Sequence, residues 1–184
     1  MPNTIEQIVQ TFSQRGTEKY GAEAVSQLQH ALQSGTLAIE EQADNELVIA
    51  ALLHDIGHIL GSRELPHACD DNLDDRHETI GYTFLKRHFG DRVADPVRLH
   101  VAAKRYLCTI DPDYEKKLSP TSHKSFLDQG GVMSDDEKRE FENEPHFEEA
   151  LLVRRWDDIA KDPNKQTPEI DDFVPRLREA LLHD

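Results

Sequence analysis

The chain has 184 residues, 37% of them hydrophobic, with 21 Lys and Arg against 36 Asp and Glu and a formal net charge of -15. This length suits one domain with a real core, and the absence of a long apolar run or a basic-then-apolar leader implies a cytoplasmic protein with no membrane partner. Scattered cations in so acidic a chain argue against nucleic acid as a partner, and any anionic substrate must be held by a few local cations.

Apolar spacing is helical nearly throughout, and the expected architecture is a single all-α domain spanning 1–184. Ile5, Ile8, Val9 and Phe12 form the stripe of a first helix, capped by Asn3 or Thr4 and stopped at Gly16. A second helix is read from about Ala22 to Ser34, stopping at Gly35. The third runs from near Asp44 to just before Gly61 and carries "HDIGH" on its last two turns. A fourth covers about Asp75 to His88, and a fifth takes Asp95 as N-cap with Pro96 in the first helical position. Further helices fit Asp135 to Asn143, Pro145 to Lys161 and Thr167 to Leu182. Cys69 and Cys108 match no zinc or redox spacing and read as inert thiols of a reducing compartment.

The greasy stretch "ALLHDIGHIL", residues 51–60, holds His54, Asp55 and His58 among aliphatic side chains. Burying an imidazole and a carboxylate there costs several kcal/mol unless each is paired or bound to a metal. The rest of the chain supplies His30, His77, His100 and Asp157, each on or at the end of an expected helix. Four imidazoles and two carboxylates, one of them bridging, suffice to hold two metals with open positions for chemistry. His67, His88, His123, His146 and His183 lack this context and read as surface residues.

Three further groups share a helix face with a proposed ligand: Lys104 four residues after His100, Arg154 three before Asp157, and His58 four after His54. Such a ring suits an anionic phosphoryl or phosphonyl substrate, Arg supplying a bidentate fork and Lys a point charge; surface ion pairing is the alternative for Lys104 and Arg154. Tyr20, Glu23, Gln27 and His30 fall at i, i+3, i+7 and i+10, which would place a phenol and a carboxylate on one stripe above the metal of His30. The alternative is that Tyr20 packs on the first helix and Glu23 favours a helix N-terminus through the dipole.

In order, H…HD…H…H…D resembles the HD-domain superfamily, most of whose members are phosphohydrolases. With Y-x-x-E before the first His, then "LLHDIGH", "HE", "LHVAAKRYLC", "LSPTSHKSFLDQGG" and "RRWDD", the chain looks like the mixed-valent diiron oxygenases of that superfamily, which cleave the carbon-phosphorus bond of 1-hydroxyphosphonates. Their best-known substrate is 2-amino-1-hydroxyethylphosphonate, giving glycine and phosphate, and myo-inositol oxygenase is a distant cousin. The resemblance implies an HD-domain helical bundle and a mixed-valent Fe(II)/Fe(III) pair with O2 as cosubstrate. It assigns His30, His54 and Asp157 to one iron, His77 and His100 to the other, and Asp55 to the bridge. It makes Tyr20 a plug on the first iron supported by Glu23, and His58, Lys104, Ser122 and Arg154 the grip on the phosphonate. It further implies release of phosphate and a carboxylic acid, downstream of an Fe(II)/2-oxoglutarate phosphonate hydroxylase. The C1 substituent stays open, since Glu23 could pair with a substrate amine while other 1-hydroxyphosphonates present the same clamp. Two other readings remain: a metal-dependent HD phosphohydrolase acting on a nucleotide or other phosphate ester, and a helical scaffold that binds a partner through its acidic face.

Overall fold

The computed structural model describes residues 3–60 and 73–182, with side chains in the second span from residue 78 onward. His67, Cys69, His183 and the side chain of His77 therefore lie outside the described residues. Among those described, every extended element is helical apart from one isolated bridge between Lys19 and Ser26, and no helix is long and apolar enough to cross a membrane.

Helix α1 (Thr4–Arg15) is closed by an Asn3 capping box and by Gly16, as its stripe predicts. Residues 16–26 do not continue a helix. Helix α2 (Gln27–Glu40) starts only after Ser26, whose hydroxyl accepts from the Gln29 amide while the Gln29 side chain accepts from the Ser26 amide. The helix thus starts five residues later than expected from Ala22, because this capping box outweighs the apolar spacing before it. Gly35 lies inside α2 and does not stop it: a Cβ there would stand 3.0 Å from the Phe173 ring and 3.3 Å from Leu52 Cβ, so the position serves close packing.

Helix α3 (Asn45–Leu53) is buried continuously from Leu47 to Leu53 and is enclosed by α2, α6, α10 and α11. A helix apolar on all sides has no amphipathic period and belongs in the centre of a bundle. It ends at His54, and α4 (Ile56–Leu60) begins after a turn at His54 and Asp55, so "HDIGH" spans a break between two helices.

Helix α5 (Leu73–Phe89) meets α6 (Asp91–Ile110) at Gly90, whose φ of 81° lies in the left-handed region that glycine adopts without strain. That turn starts α6 four residues before Asp95, so Asp95 is not its cap and Pro96 falls in its second turn, at the loss of one backbone hydrogen bond. Two short helices, α7 (Pro112–Glu115) and α8 (Pro120–Asp128), escape the apolar pattern, although Ser119 followed by Pro120 is a clear N-terminal signal. They are followed by α9 (Asp135–Glu142), α10 (Phe147–Ile159), a 3-10 turn (Ile170–Phe173) and α11 (Val174–Ala180). The main core runs from α1 through α3 to α11; a smaller cluster around Leu99, Tyr106 and Phe141 seats α9 on α6.

Candidate metal centre and its cavity

The break after α3 gives the site its shape. On a continuous helix, adjacent side chains diverge by about 100°. Here the turn brings His54 Nε2 to 3.4 Å from Asp55 Oδ2. Helix α2 adds His30, with Nε2 3.1 Å from His54 Nε2 and 3.7 Å from Asp55 Oδ2. Helix α10 adds Asp157, with Oδ1 3.3 Å from His30 Nε2 and 3.9 Å from His54 Nε2.

The other oxygen of Asp55 faces a second group. Its Oδ1 lies 3.7 Å from His100 Nε2 on α6 and 3.8 Å from His58 Nε2 on α4. One carboxylate thus turns each oxygen to a different imidazole cluster, the geometry of a bridging ligand. The backbone of His77 lies on α5, and α5 packs against both α4 and α6.

Each of the three buried imidazoles turns Nδ1 to a backbone carbonyl: His30 to Ala160 at 2.8 Å, His54 to Ala51 at 2.8 Å and His100 to Val97 at 2.6 Å. A carbonyl only accepts, so Nδ1 carries the hydrogen and Nε2 points inward as a lone pair when the ring is neutral. Fixing the tautomer from behind is how metal-binding histidines are oriented. His30, His54 and Asp55 form a group able to hold a metal ion, and imidazole with carboxylate suits iron.

Electrostatics is severe at such burial. Burial opposes charge on Asp55, but His54 and the neighbouring imidazoles outweigh it and hold the carboxyl well below its usual range. Burial likewise opposes charge on Asp157, and Arg154 more than compensates. For His54 burial pulls down while Asp55 and Asp157 pull up, raising it to about 9; for His100 burial wins and lowers it to about 4. A metal cation answers the same two carboxylates without protonating an imidazole.

A cavity of about 80 Å³ opens on the Oδ1 side of Asp55, lined by Tyr20, His58, His100, Lys104, Ser122 and Arg154 along with Asp55 and Asp157. The sequence-derived clamp is therefore assembled in one place. Lys104 and Arg154 are 2% and 3% exposed, which removes the surface ion-pair reading for both. Arg154 Nη1 donates to Asp157 Oδ2 at 2.7 Å, and Lys104 Nζ donates to Ser125 Oγ at 2.9 Å.

Tyr20 reaches the site from the loop and not from a helical stripe. Its ring stacks on His30 and its hydroxyl donates to Asp157 Oδ1 at 3.2 Å. Burial and the adjacent Asp157 push its pKa well above the ordinary phenol, so it remains a hydrogen donor. Glu23 does not line the cavity: its Oε1 accepts from Ser119 Oγ at 2.5 Å, and its backbone amide donates to the Tyr20 carbonyl at 2.9 Å. Among the expected surface histidines, His88, His123 and His146 are half-buried, His88 with Nδ1 3.1 Å from Thr4 Oγ1.

Sequence reasoning missed several residues here, Glu78 and Val101 on the cavity lining among them. Ser125 holds Lys104, and its signal was its place three residues after Ser122. Gln129, at the end of α8, lines the cavity with a buried Oε1 that has no hydrogen-bond partner. Asp158 and Tyr114 brace Arg154 from behind, Asp158 Oδ2 accepting from Arg154 Nε at 3.2 Å and from the Tyr114 hydroxyl.

Known proteins resemble the chain over most of its length. The HD domain family model matches residues 22–162. A hydroxymethylphosphonate dioxygenase of Gimesia maris is 44% identical over 163 residues, 88% of this chain and 80% of that protein. The glycine-betaine-forming dioxygenase of 1-hydroxy-2-(trimethylamino)ethylphosphonate from Leisingera caerulea is 38% identical over 179 residues, 97% of this chain and 91% of that protein.

Proposed function

From the premise that this chain belongs to the HD-domain family and, within it, to the phosphonate dioxygenases, and is therefore an oxygenase, we propose that it oxidatively cleaves the carbon-phosphorus bond of a 1-hydroxyphosphonate. The products are phosphate and a carboxylic acid; for hydroxymethylphosphonate and O2 these are dihydrogen phosphate and formate, which balances atoms and charge. The observation that carries the reading is Asp55, whose two oxygens face His30 with His54 on one side and His100 with His58 on the other.

His30, His54 and Asp157 would hold one iron, His100 with His77 the other, and Asp55 would bridge them. Such a mixed-valent pair, when bound, supplies the redox chemistry that joins O2 to C1 of the substrate.

The chain's own residues then do the rest. Arg154, Lys104, His58 and Ser122 converge on one cavity, where Arg154 and Lys104 supply the positive charge, and His58 and Ser122 the polar contacts, for a phosphonate in a protein of net charge -15. The backs of Arg154 and Lys104 are fixed by Asp157, Asp158 and Ser125, so both cations are oriented before substrate arrives. Tyr20 covers the His30 and Asp157 side of the centre until the substrate displaces it. The Gln129 amide adds a neutral hydrogen-bonding group to the same wall. A hydroxylase that installs the 1-hydroxyl group is the class of enzyme that would supply the substrate.

The test is turnover of hydroxymethylphosphonate by the iron-loaded protein in air and under anaerobiosis. We expect phosphate release matched by O2 uptake, two irons per chain, and loss of most of both in Asp55→Ala. Phosphate release from nucleotides without O2, with hydroxyphosphonates untouched in air, would instead establish a phosphohydrolase.

A further inference from the structure

Lys161 lies two residues beyond α10, and its ammonium reaches back to the Tyr20 loop. Nζ donates to Ser122 Oγ at 2.9 Å, stands 3.7 Å from Glu23 Oε1, and sits 5.9 Å from the centroid of the Tyr20 ring. The side chains of Lys161 and Glu23 are only 11% and 15% exposed, so water screens the pair weakly.

Glu78 lines the cavity directly, while Glu23 is the carboxylate that the sequence pattern beside Tyr20 offers as counter-ion for a cationic group on C1 of a substrate. In this chain it is already engaged. Ser119 and Lys161 both hold it, and it lies behind the cavity wall. What touches the wall is the cation, since Ser122 and Tyr20 line the cavity and Lys161 contacts both. Because Ser122 Oγ accepts from Lys161, its own hydrogen is directed elsewhere and can serve the phosphonate.

We infer that Lys161 is a specificity-determining residue: it ties up Glu23 and turns the ammonium end of the pair, not the carboxylate, to the cavity wall, favouring 1-hydroxyphosphonates with a small uncharged C1 substituent over those with an ammonium arm. This rests on the proposed 1-hydroxyphosphonate reading of the cavity. Like-charge placement at a shielded site is a common means of rejecting a competing ligand.

The experiment measures kcat/KM of the iron-loaded full chain in air for hydroxymethylphosphonate, 1-hydroxyethylphosphonate and 2-amino-1-hydroxyethylphosphonate. The unmodified protein is expected to prefer both neutral compounds over the amine by at least about tenfold. Lys161→Gln should shift that ratio towards the amine by about tenfold, Lys161→Arg should keep it, and adding Glu23→Gln to Lys161→Gln should remove the gain. Working with ratios cancels any loss of phosphonate grip through Ser122, which is common to all three compounds. The preference of the unmodified protein requires no variant to fold, and preference for the amine overturns the inference outright. An unchanged ratio in Lys161→Gln and Lys161→Met removes Lys161 alone and leaves the dioxygenase reading intact. Failure to turn over any hydroxyphosphonate removes both.

Discussion

The phenol of Tyr20 lies flat on the imidazole of His30, with ring centroids 3.8 Å apart and planes 13° from parallel, while its hydroxyl donates to Asp157 Oδ1. The ring and the hydroxyl therefore have separable jobs, one packing against a proposed ligand and the other occupying an oxygen of a second. Tyr20→Phe keeps the stack and loses the hydrogen bond. We expect it to retain both irons, to pass from the mixed-valent to the fully ferric state faster in air without substrate, and to release less phosphate per O2 consumed. KM should change less than about threefold, because the clamp of His58, Lys104, Ser122 and Arg154 is untouched. An EPR time course with paired O2 and phosphate assays checks this; unchanged oxidation rate and coupling would reduce Tyr20 to a packing residue.

How far the sequence reveals such a site depends on whether the signal is local. Helices α1 and α9 were legible because an amphipathic stripe and a capping residue coincide within one segment. The order of His30, His54, Asp55, His100 and Asp157, whose side chains the structure brings together, could be read for the same reason: residue type and order survive without knowing the fold. The break at His54 was not, because α3 is apolar on every side and offers no period to interrupt. Tyr20 to His30 satisfied a helical spacing by coincidence, which the capping box at Ser26 and Gln29 overrides. Contacts such as Lys161 with Glu23, or Tyr114 with Asp158, join residues far apart in the chain, and nothing in either segment announces the other.

Gly35 illustrates a signal with two physical meanings, a stop or a close approach. Adding a methyl group would favour helix α2 by up to about 1 kcal/mol. It would also press on the Phe173 ring at 3.0 Å and Leu52 Cβ at 3.3 Å, and those side chains are 2% and 0% exposed, with no room to give. Overpacking of this kind costs about 1–3 kcal/mol. Gly35→Ala should therefore be less stable by about 1 kcal/mol in urea unfolding, whereas a gain in stability would show that the core there can yield.

Cys108 sets a test of stability against pH. Its thiol is 2% exposed, and burial, with Glu115 adding to it, raises the pKa from 9.0 to about 11. Below pH 9 the thiol is protonated whether folded or unfolded and contributes no slope. Between 9 and 11 the unfolded chain gives up the proton more readily, so stability falls as pH rises through that window. Cys108→Ala carries a packing cost that is constant with pH but removes this slope. Unfolding free energies at pH 8 and pH 11 should differ by about 2 kcal/mol less in the variant than in the unmodified protein. Equal differences would mean the thiol titrates normally.

Arg154 commits three of its five N–H groups to two neighbouring carboxylates: Nη1 to Asp157 Oδ2, and both Nη2 and Nε to Asp158. One hydrogen remains on each terminal nitrogen, and these form the fork available to the cavity. Asp157 is a proposed ligand, so only Asp158 can be altered without touching the metal. The Tyr114 hydroxyl donates to Asp158 Oδ2 and lies 3.4 Å from Arg154 Nε, bracing the pair. Asp158→Asn has two opposing effects. It removes a negative charge near the phosphonate, which favours binding, and it dissolves the bidentate contact that aims the guanidinium. The first acts on an arginine still neutralised by Asp157, and the second misplaces a fork whose value depends on alignment, so positioning should dominate. We expect KM for the hydroxyphosphonate to rise about tenfold with iron content unchanged, and Tyr114→Phe to move KM the same way by about threefold. A fall in KM for Asp158→Asn would show that the net charge at Arg154 outweighs its aim.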